Sequence, residues 1–172
     1  FENVELDIYS SFKIYGWEDK DKDWEPLYNA CKETPNVNYH GSVSNEEIRT
    51  ALQQTHILAY PSVYKETGCI SAIEAMSAGC VVVCPNLAVL PETCANFAWM
   101  YGYCEDKSDH AKKFAYVLKD AIDNFWEPPV QAGLGFQKQY FDMHYDIDTT
   151  AKQWTMMLET IKTNIEYSKQ KK

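Results

Sequence analysis

Two glutamates, Glu66 and Glu74, are the side chains of this sequence best suited to binding chemistry. They lie in the stretch PSVYKETGCISAIEAMSAGCVVVCP, residues 61–85, on either side of a turn that contains Gly68. Carboxylates accept hydrogen bonds from sugar and ribose hydroxyls, so the two acids could grip different parts of one ligand. Glycine has no Cβ, so the backbone at residues 67–70 can approach a phosphate and turn N–H groups toward it. The positive end of the helix that follows suits the same phosphate.

The elements around this stretch are predicted from hydrophobic spacing and turn signals. Residues 56–62 indicate a strand, residues 70–78 a helix, and the apolar runs at 81–84 and 97–101 two further strands. Upstream, the pattern predicts a buried strand at 12–16 and a helix through Trp24 and Cys31. A strand at 37–41 follows, and a capping box of Ser44 and Glu47 starts another helix. This alternation predicts an α/β fold, a Rossmann-like doubly wound parallel sheet with helices on both faces.

Beyond residue 107 the sequence predicts helices alone. Ser108 or Asp109 can cap the first, and the EPP run at 127–129 ends it. A broken helical stretch containing Gly133 and Gly135 follows. The last helix carries an apolar stripe at helical spacing, formed by Ala151, Trp154, Leu158, Ile161 and Ile165.

Length, net charge and cysteine content limit the possible functions of the chain. The 172 residues, 45% of them hydrophobic, predict one domain over residues 1–172. A net charge of −9 with a single arginine argues against nucleic acid as a partner. Six cysteines without a CxxC pair indicate reduced thiols and a cytoplasmic location. No stretch approaches the roughly 20 apolar residues of a transmembrane helix, and the four histidines lack the spacing of metal ligands.

The glutamate stretch resembles the E-x7-E signature of retaining glycosyltransferases of family 4, which have the GT-B fold. The matching residues are Pro61 and Ser62 before the motif, Glu74, Ala75 and Met76 inside it, and Gly79, Val81 and Val82 after it. A second match is LPET, Leu90–Thr93, which resembles the Gly-Gly-Leu-Pro-Glu turn of the family. It departs from that turn because Ala88 and Val89 stand where two glycines are common. At the first acid, Glu66, Thr67 and Gly68 form a shorter version of Glu-x-Phe-Gly.

The resemblance covers roughly residues 12–165 and implies the nucleotide-sugar-binding, C-terminal half of a two-domain GT-B enzyme. It implies that Glu66 is the catalytic acid that orients the sugar, and that Glu74 binds the ribose. The remaining implied donor contacts are Gly68, Cys69 and Ile70 for sugar and phosphate, and Val43 and Ser44 for the base. The nucleotide sugar is a substrate, and neither a cofactor nor a metal is implied.

The resemblance also marks what the chain lacks. The family carries an Arg and Lys pair on or just after the strand that precedes residues 12–16, and residues 1–11 supply neither residue type. The acceptor, a glycan or a lipid-linked sugar, is expected to bind an N-terminal domain absent from this chain, which begins at Phe1 without methionine. The chain is therefore expected to be inactive alone, and a peripheral membrane location of the full-length protein stays open.

Two other functions fit the same residues. A related GT-B sugar-nucleotide epimerase would place acids around a nucleotide without needing an acceptor. A non-catalytic Rossmann-like interaction module would carry Glu66 and Glu74 as remnants.

Overall fold

A computed structural model describes residues 3–170 of the protein and divides into two compact units, one up to Ala51 and one from Leu52 onward. Each unit contains a parallel β-sheet, and helices connect and flank the strands. This mixed α/β architecture confirms the fold class predicted from the alternation of strands and helices.

The first unit contains two parallel strands, β1 (Leu6–Ile8) and β2 (Val37–Tyr39), with Leu6 opposite Val37. A short 3-10 helix, Phe12–Tyr15, and the long helix α1, Glu18–Glu33, connect them. Helix α2, Asn45–Leu52, follows β2. The connection from strand through helix to a parallel strand is the unit that the alternation predicted.

The strand predicted at residues 12–16 is wrong, because these residues form the 3-10 helix. The Asp21 carboxylate accepts hydrogen bonds from the Phe12 backbone N–H at 2.9 Å and from the Ser11 hydroxyl at 2.7 Å, which fixes a turn at this point. Ile14 and Tyr15 are 62% and 65% exposed, so the apolar run does not face a core. The first strand is instead β1, which the sequence reasoning missed.

The second unit contains a three-stranded parallel sheet in the order β3-β4-β5. The strands are β3 (Ile57–Ala59), β4 (Val81–Asn86) and β5 (Trp99–Gly102). Helix α3, Ile70–Ala78, joins the first two strands, and the short helix α4, Leu90–Thr93, lies between the last two. Three longer helices follow: α5 (Lys107–Asn124), α6 (Pro128–Tyr145) and α7 (Ile147–Gln170).

The central strand β4 is covered on both faces, which explains its uninterrupted apolar sequence. Side chains alternate across a strand, so Val82 and Cys84 join one core with α3, α4 and α6. Val81 and Val83 point to the opposite face and join a second core with α5. Helices on both faces of this sheet were predicted, and the two cores confirm them.

Two details of the C-terminal helices differ from the prediction. Asp106 caps α5, with its carboxylate accepting the Asp109 N–H at 2.9 Å, so neither Ser108 nor Asp109 is the cap. Helix α6 is continuous through Gly133 and Gly135, where a broken stretch was predicted. Each glycine weakens a helix by about 1 kcal/mol, and burial of the Phe141 side chain, worth about 1.5–3 kcal/mol, offsets this cost.

Helix α6 secures the C-terminal end of α3. The buried Gln137 amide donates to the carbonyls of Met76 at 3.2 Å and Cys80 at 2.9 Å. The Ser77 hydroxyl donates to the Asp142 carboxylate at 2.6 Å. The Met76 carbonyl also accepts the Gly79 N–H at 3.1 Å, so Gln137 adds a second donor there and ties α6 to the residues at and just beyond the end of α3.

Helix α7 differs from the others in being exposed from residue 147 to residue 169, apart from the half-buried Thr150. Its apolar stripe lies open to solvent, with Trp154 at 58% and Leu158 at 57% exposure. None of the helices within residues 3–170 combines the length and apolar character that crossing a bilayer requires.

Candidate functional site

The two glutamates lie on the connection from β3 to α3, in the second unit. This connection leaves the carboxyl end of β3, and α3 begins immediately beyond it. In open parallel sheets, ligands bind at the carboxyl ends of the strands, because loops and helix N-termini meet there. The position of the connection at this end of the sheet therefore suits ligand binding, whatever its side chains.

Glu66 is half-buried, and Tyr60 fixes its carboxylate. Tyr60 follows β3 directly, and its phenol hydroxyl donates a short hydrogen bond to Oε1 of Glu66. Burial, and then this hydrogen bond, raise the pKa of Tyr60, so the hydroxyl keeps its proton and remains a donor. Glu66 is thereby held in one orientation, with its other carboxylate oxygen, Oε2, available for a ligand hydroxyl.

Gly68, Cys69 and Ile70 lead into α3, as predicted. The space beside Gly68 where a side chain would lie is open, so the backbone is accessible there. Cys69 is the N-cap residue and makes no capping hydrogen bond with its side chain, which leaves N–H groups of the first turn without a partner in the helix. The Ile70 side chain is 71% exposed. This end of α3 therefore offers backbone donors to an anion.

The Cys69 side chain is buried, and burial raises its pKa above the ordinary thiol value. A neutral, buried thiol is a poor nucleophile. The Cys69 side chain is therefore not suited to act as a nucleophile, and a backbone contact to a ligand stays a prediction.

Glu74 lies in the second turn of α3 and is half-buried. The same helix buries Ala72, Ala75 and Met76 against the core, which fixes the rotation of the helix about its axis. The structure thus places Glu66, Gly68, Cys69, Ile70 and Glu74 along one continuous segment of the second unit.

Val43 and Ser44 belong to the first unit and precede α2. The predicted capping box is confirmed: the Ser44 N–H donates to Oε2 of Glu47 at 2.9 Å, and the Glu47 N–H donates to the Ser44 hydroxyl at 3.2 Å. The Ser44 carbonyl accepts the Ile48 N–H at 3.1 Å. These groups of Ser44 therefore already have partners within the first unit, and a contact of Val43 or Ser44 with a base stays a prediction.

In the turn before LPET, one of the two residues that stand in place of glycine has a backbone conformation that favours glycine. Ala88 adopts a φ of 50°, in the left-handed region that favours glycine, whereas Val89 has an ordinary helical φ of −79°. The backbone therefore keeps a glycine-like conformation at Ala88 without the residue that best suits it.

His110 is a second residue near the segment that sequence reasoning missed. It is buried on α5, and its Nε2 lies 3.3 Å from the Pro61 carbonyl and 3.1 Å from the Tyr101 hydroxyl. Within residues 3–170 its Nδ1 is buried without a hydrogen-bond partner. A lone histidine on a helix carries no sequence signal, so only the packing of α5 against the loop reveals the contact.

The ionic groups near the loop are few. Lys65, which precedes Glu66, is exposed. In the part of the chain that the structure describes, no three His, Cys, Asp or Glu side chains come together as a metal site would require. Each of the six cysteines is an unpaired thiol, and four of them are buried.

Comparison with known proteins adds two findings. Residues 7–129 match the family model described as glycosyl transferases group 1. A relative from Escherichia coli, O-antigen chain mannosyltransferase B, is 32% identical over 126 residues, which are 73% of this chain and 31% of the relative. The chain therefore spans about a third of the length of the curated relative that it matches.

Proposed function

Because the chain belongs to the group 1 glycosyltransferases, we propose that its second unit binds a nucleotide-activated sugar for transfer to an acceptor with retention of the anomeric configuration. The observation that carries the proposal is the placement of Glu66 and Gly68 directly before the open N-terminus of α3, with Glu74 one turn inside that helix. One segment thus combines two carboxylates for hydroxyl groups with backbone donors for a diphosphate.

Each group has a distinct part in the proposed reaction. The departing nucleoside diphosphate gains negative charge as the bond to the anomeric carbon breaks, and the N–H groups and dipole at the start of α3 stabilise that charge. Glu66 accepts hydrogen bonds from the sugar hydroxyls and orients the ring. Glu74 holds the ribose diol of the same donor. The reaction is proposed to need no metal ion.

The name of the bacterial relative favours mannose as the transferred sugar. In the same proposal, the acceptor, a glycan or lipid-linked sugar, binds a further domain of the full-length cytoplasmic protein. The contact of the base with Val43, and with Ser44, stays a prediction from the family resemblance.

The test is a calorimetric titration of the chain with UDP, GDP, ADP and their sugar conjugates, GDP-mannose included. Wild type is compared with Glu74→Ala and with a control, Glu159→Ala, which removes an exposed carboxylate from α7. We expect one nucleotide to bind wild type and the control alike, and to bind Glu74→Ala about tenfold or more weakly, because a hydrogen bond to a charged group is lost.

Two other outcomes decide between functions. Equal affinity of wild type and Glu74→Ala would contradict the proposed site and favour a non-catalytic module. Conversion of the bound nucleotide sugar without any acceptor would point to an epimerase.

A further inference from the structure

Tyr60 lies directly after β3 and outside the family motif. Its backbone N–H donates to the Val83 carbonyl at 2.9 Å, which extends the pairing of β3 with β4 by one residue. Its ring packs against the core formed with α3. Both ends of the residue are thus fixed: the backbone by the sheet and the phenol hydroxyl by Glu66.

The hydroxyl is not needed for packing. A phenylalanine at this position would fill the same space against the same core, so the effect of the hydroxyl on the Glu66 carboxylate comes from the hydrogen bond between them. Glu66 itself lies on a loop, where a carboxylate would otherwise sample several rotamers. Freezing it before the ligand arrives lowers the entropic cost of binding.

We propose that Tyr60 is a positioning residue for the donor sugar: its hydroxyl occupies Oε1 of Glu66 and thereby leaves Oε2 as the oxygen that accepts from the sugar. This rests on the proposed function. Tyr60 touches no reacting atom in this scheme and acts only through Glu66.

The positioning role of Tyr60 predicts that loss of its hydroxyl changes the affinities for two ligands differently. A nucleotide sugar uses Glu66, whereas the bare nucleoside diphosphate reaches only the groups at the start of α3 and Glu74. Loss of the Tyr60 hydroxyl therefore weakens binding of the first ligand and leaves the second unchanged. A purely structural role would weaken both together.

The experiment is a double-mutant cycle of Tyr60→Phe and Glu66→Ala, titrated with GDP-mannose and GDP, and with UDP-glucose and UDP in parallel. Tyr140→Phe, which removes a tyrosine hydroxyl on α6 from the same core, is the matched control. We expect Tyr60→Phe to weaken the nucleotide sugar about five- to tenfold, the worth of one hydrogen bond, and to have no further effect once Glu66 is alanine. Urea unfolding confirms that the variants are folded.

The outcomes separate this proposal from the function on which it rests. Additive losses in the cycle, or equal losses for nucleotide sugar and bare nucleotide, would overturn the positioning role while donor binding by wild type stands. If wild type binds none of the four ligands, both proposals fall together.

Discussion

At the residue scale, Gly68 and Ala88 present opposite situations. Gly68 does not use the left-handed backbone that glycine alone adopts freely, and a Cβ built on it would meet open space. Ala88 does use that backbone, at a φ of 50°, although it is not a glycine. A side chain at Gly68 would therefore affect access of a ligand to the backbone. The side chain at Ala88 instead affects the stability of the folded chain.

Gly68→Ala is expected to leave the unfolding midpoint unchanged and to weaken nucleoside diphosphate binding. The added methyl group stands where a phosphate would approach the backbone, and loss of one charge-assisted hydrogen bond costs about tenfold in affinity. Calorimetry and urea unfolding measure the two effects. Gly135→Ala, on an exposed part of α6, is the control, for which binding stays the same. Unchanged binding in Gly68→Ala would show that phosphate does not pass this glycine.

Ala88→Gly is expected to stabilise the protein by roughly 0.5–1 kcal/mol. The left-handed conformation costs an L-residue about 1–2 kcal/mol, and glycine gives back about half of this relief as lost chain entropy. Urea unfolding measures the change. Ala132→Gly, in the interior of α6, should instead destabilise the protein by about 1 kcal/mol. A loss of stability in Ala88→Gly would show that the turn carries no strain.

At the element scale, local signals predicted the helices and strands of the second unit better than those of the first. The bounds of α3 and the apolar strand β4 follow from short-range spacing and from Gly79, which ends α3 at a φ of 91°. The 3-10 helix at Phe12–Tyr15 depends instead on Asp21, which lies on α1. Hydrophobic spacing within residues 12–16 does not reveal hydrogen bonds donated to a carboxylate on a later helix, so the segment was predicted as a strand.

Asp21 is the acid whose removal tests this explanation. Hydrogen bonds from the Phe12 N–H, the Ser11 hydroxyl and the Tyr28 hydroxyl lower the pKa of Asp21 below its ordinary value of 3.8. A lowered pKa means that the folded state favours the ionised carboxylate. Its contribution to stability is therefore complete above pH 3.8 and is lost as the pH falls through the lower, folded-state value.

Asp21→Ala is expected to lower the urea midpoint of the first unit at neutral pH, and the difference from wild type should disappear as the pH falls well below 3.8. Circular dichroism of urea unfolding at a series of pH values measures it. Asp23→Ala, an exposed neighbour on α1, should match wild type at every pH. A difference between Asp21→Ala and wild type that persists at the lowest pH would refute the role of the ionised carboxylate.

The candidate site was predictable only in part. The signature identified Glu66 and Glu74 and the helix start between them, because a motif records residue types at fixed spacing. It did not identify Tyr60 or His110, because their contacts with residues of the site segment arise only when the chain folds. Binding of a donor sugar by Glu66 and Glu74 stays a prediction.

At the scale of the whole molecule, the fold continues beyond the part that matches the family model. The match ends at residue 129, yet Gln137 and Phe141 of α6 are buried against α3 and the sheet. Helix α7 has no comparable burial. Helix α6 is therefore part of the core of the second unit, whereas α7 is not.

A chain ending after Asp146, without α7, is expected to keep the unfolding midpoint of the second unit. A chain ending after Glu127, without α6 and α7, is expected to be unfolded, because loss of a buried Phe such as Phe141 alone costs about 3–5 kcal/mol. Amide hydrogen exchange in β4 reports on both chains. Protected β4 amides in the shorter chain, or their loss in the longer one, would contradict this division.

The bond from Gln137 to Met76 joins residues 61 positions apart, and this separation bears on synthesis of the chain. At about 5–20 residues per second, translation needs roughly 3–12 s to make the stretch between them. Strands β4 and β5 are made within this interval, and the apolar face of α3 stays uncovered until α6 follows. The second unit therefore completes its folding late, and the emerging chain spends those seconds as a target for chaperones that bind exposed apolar surface.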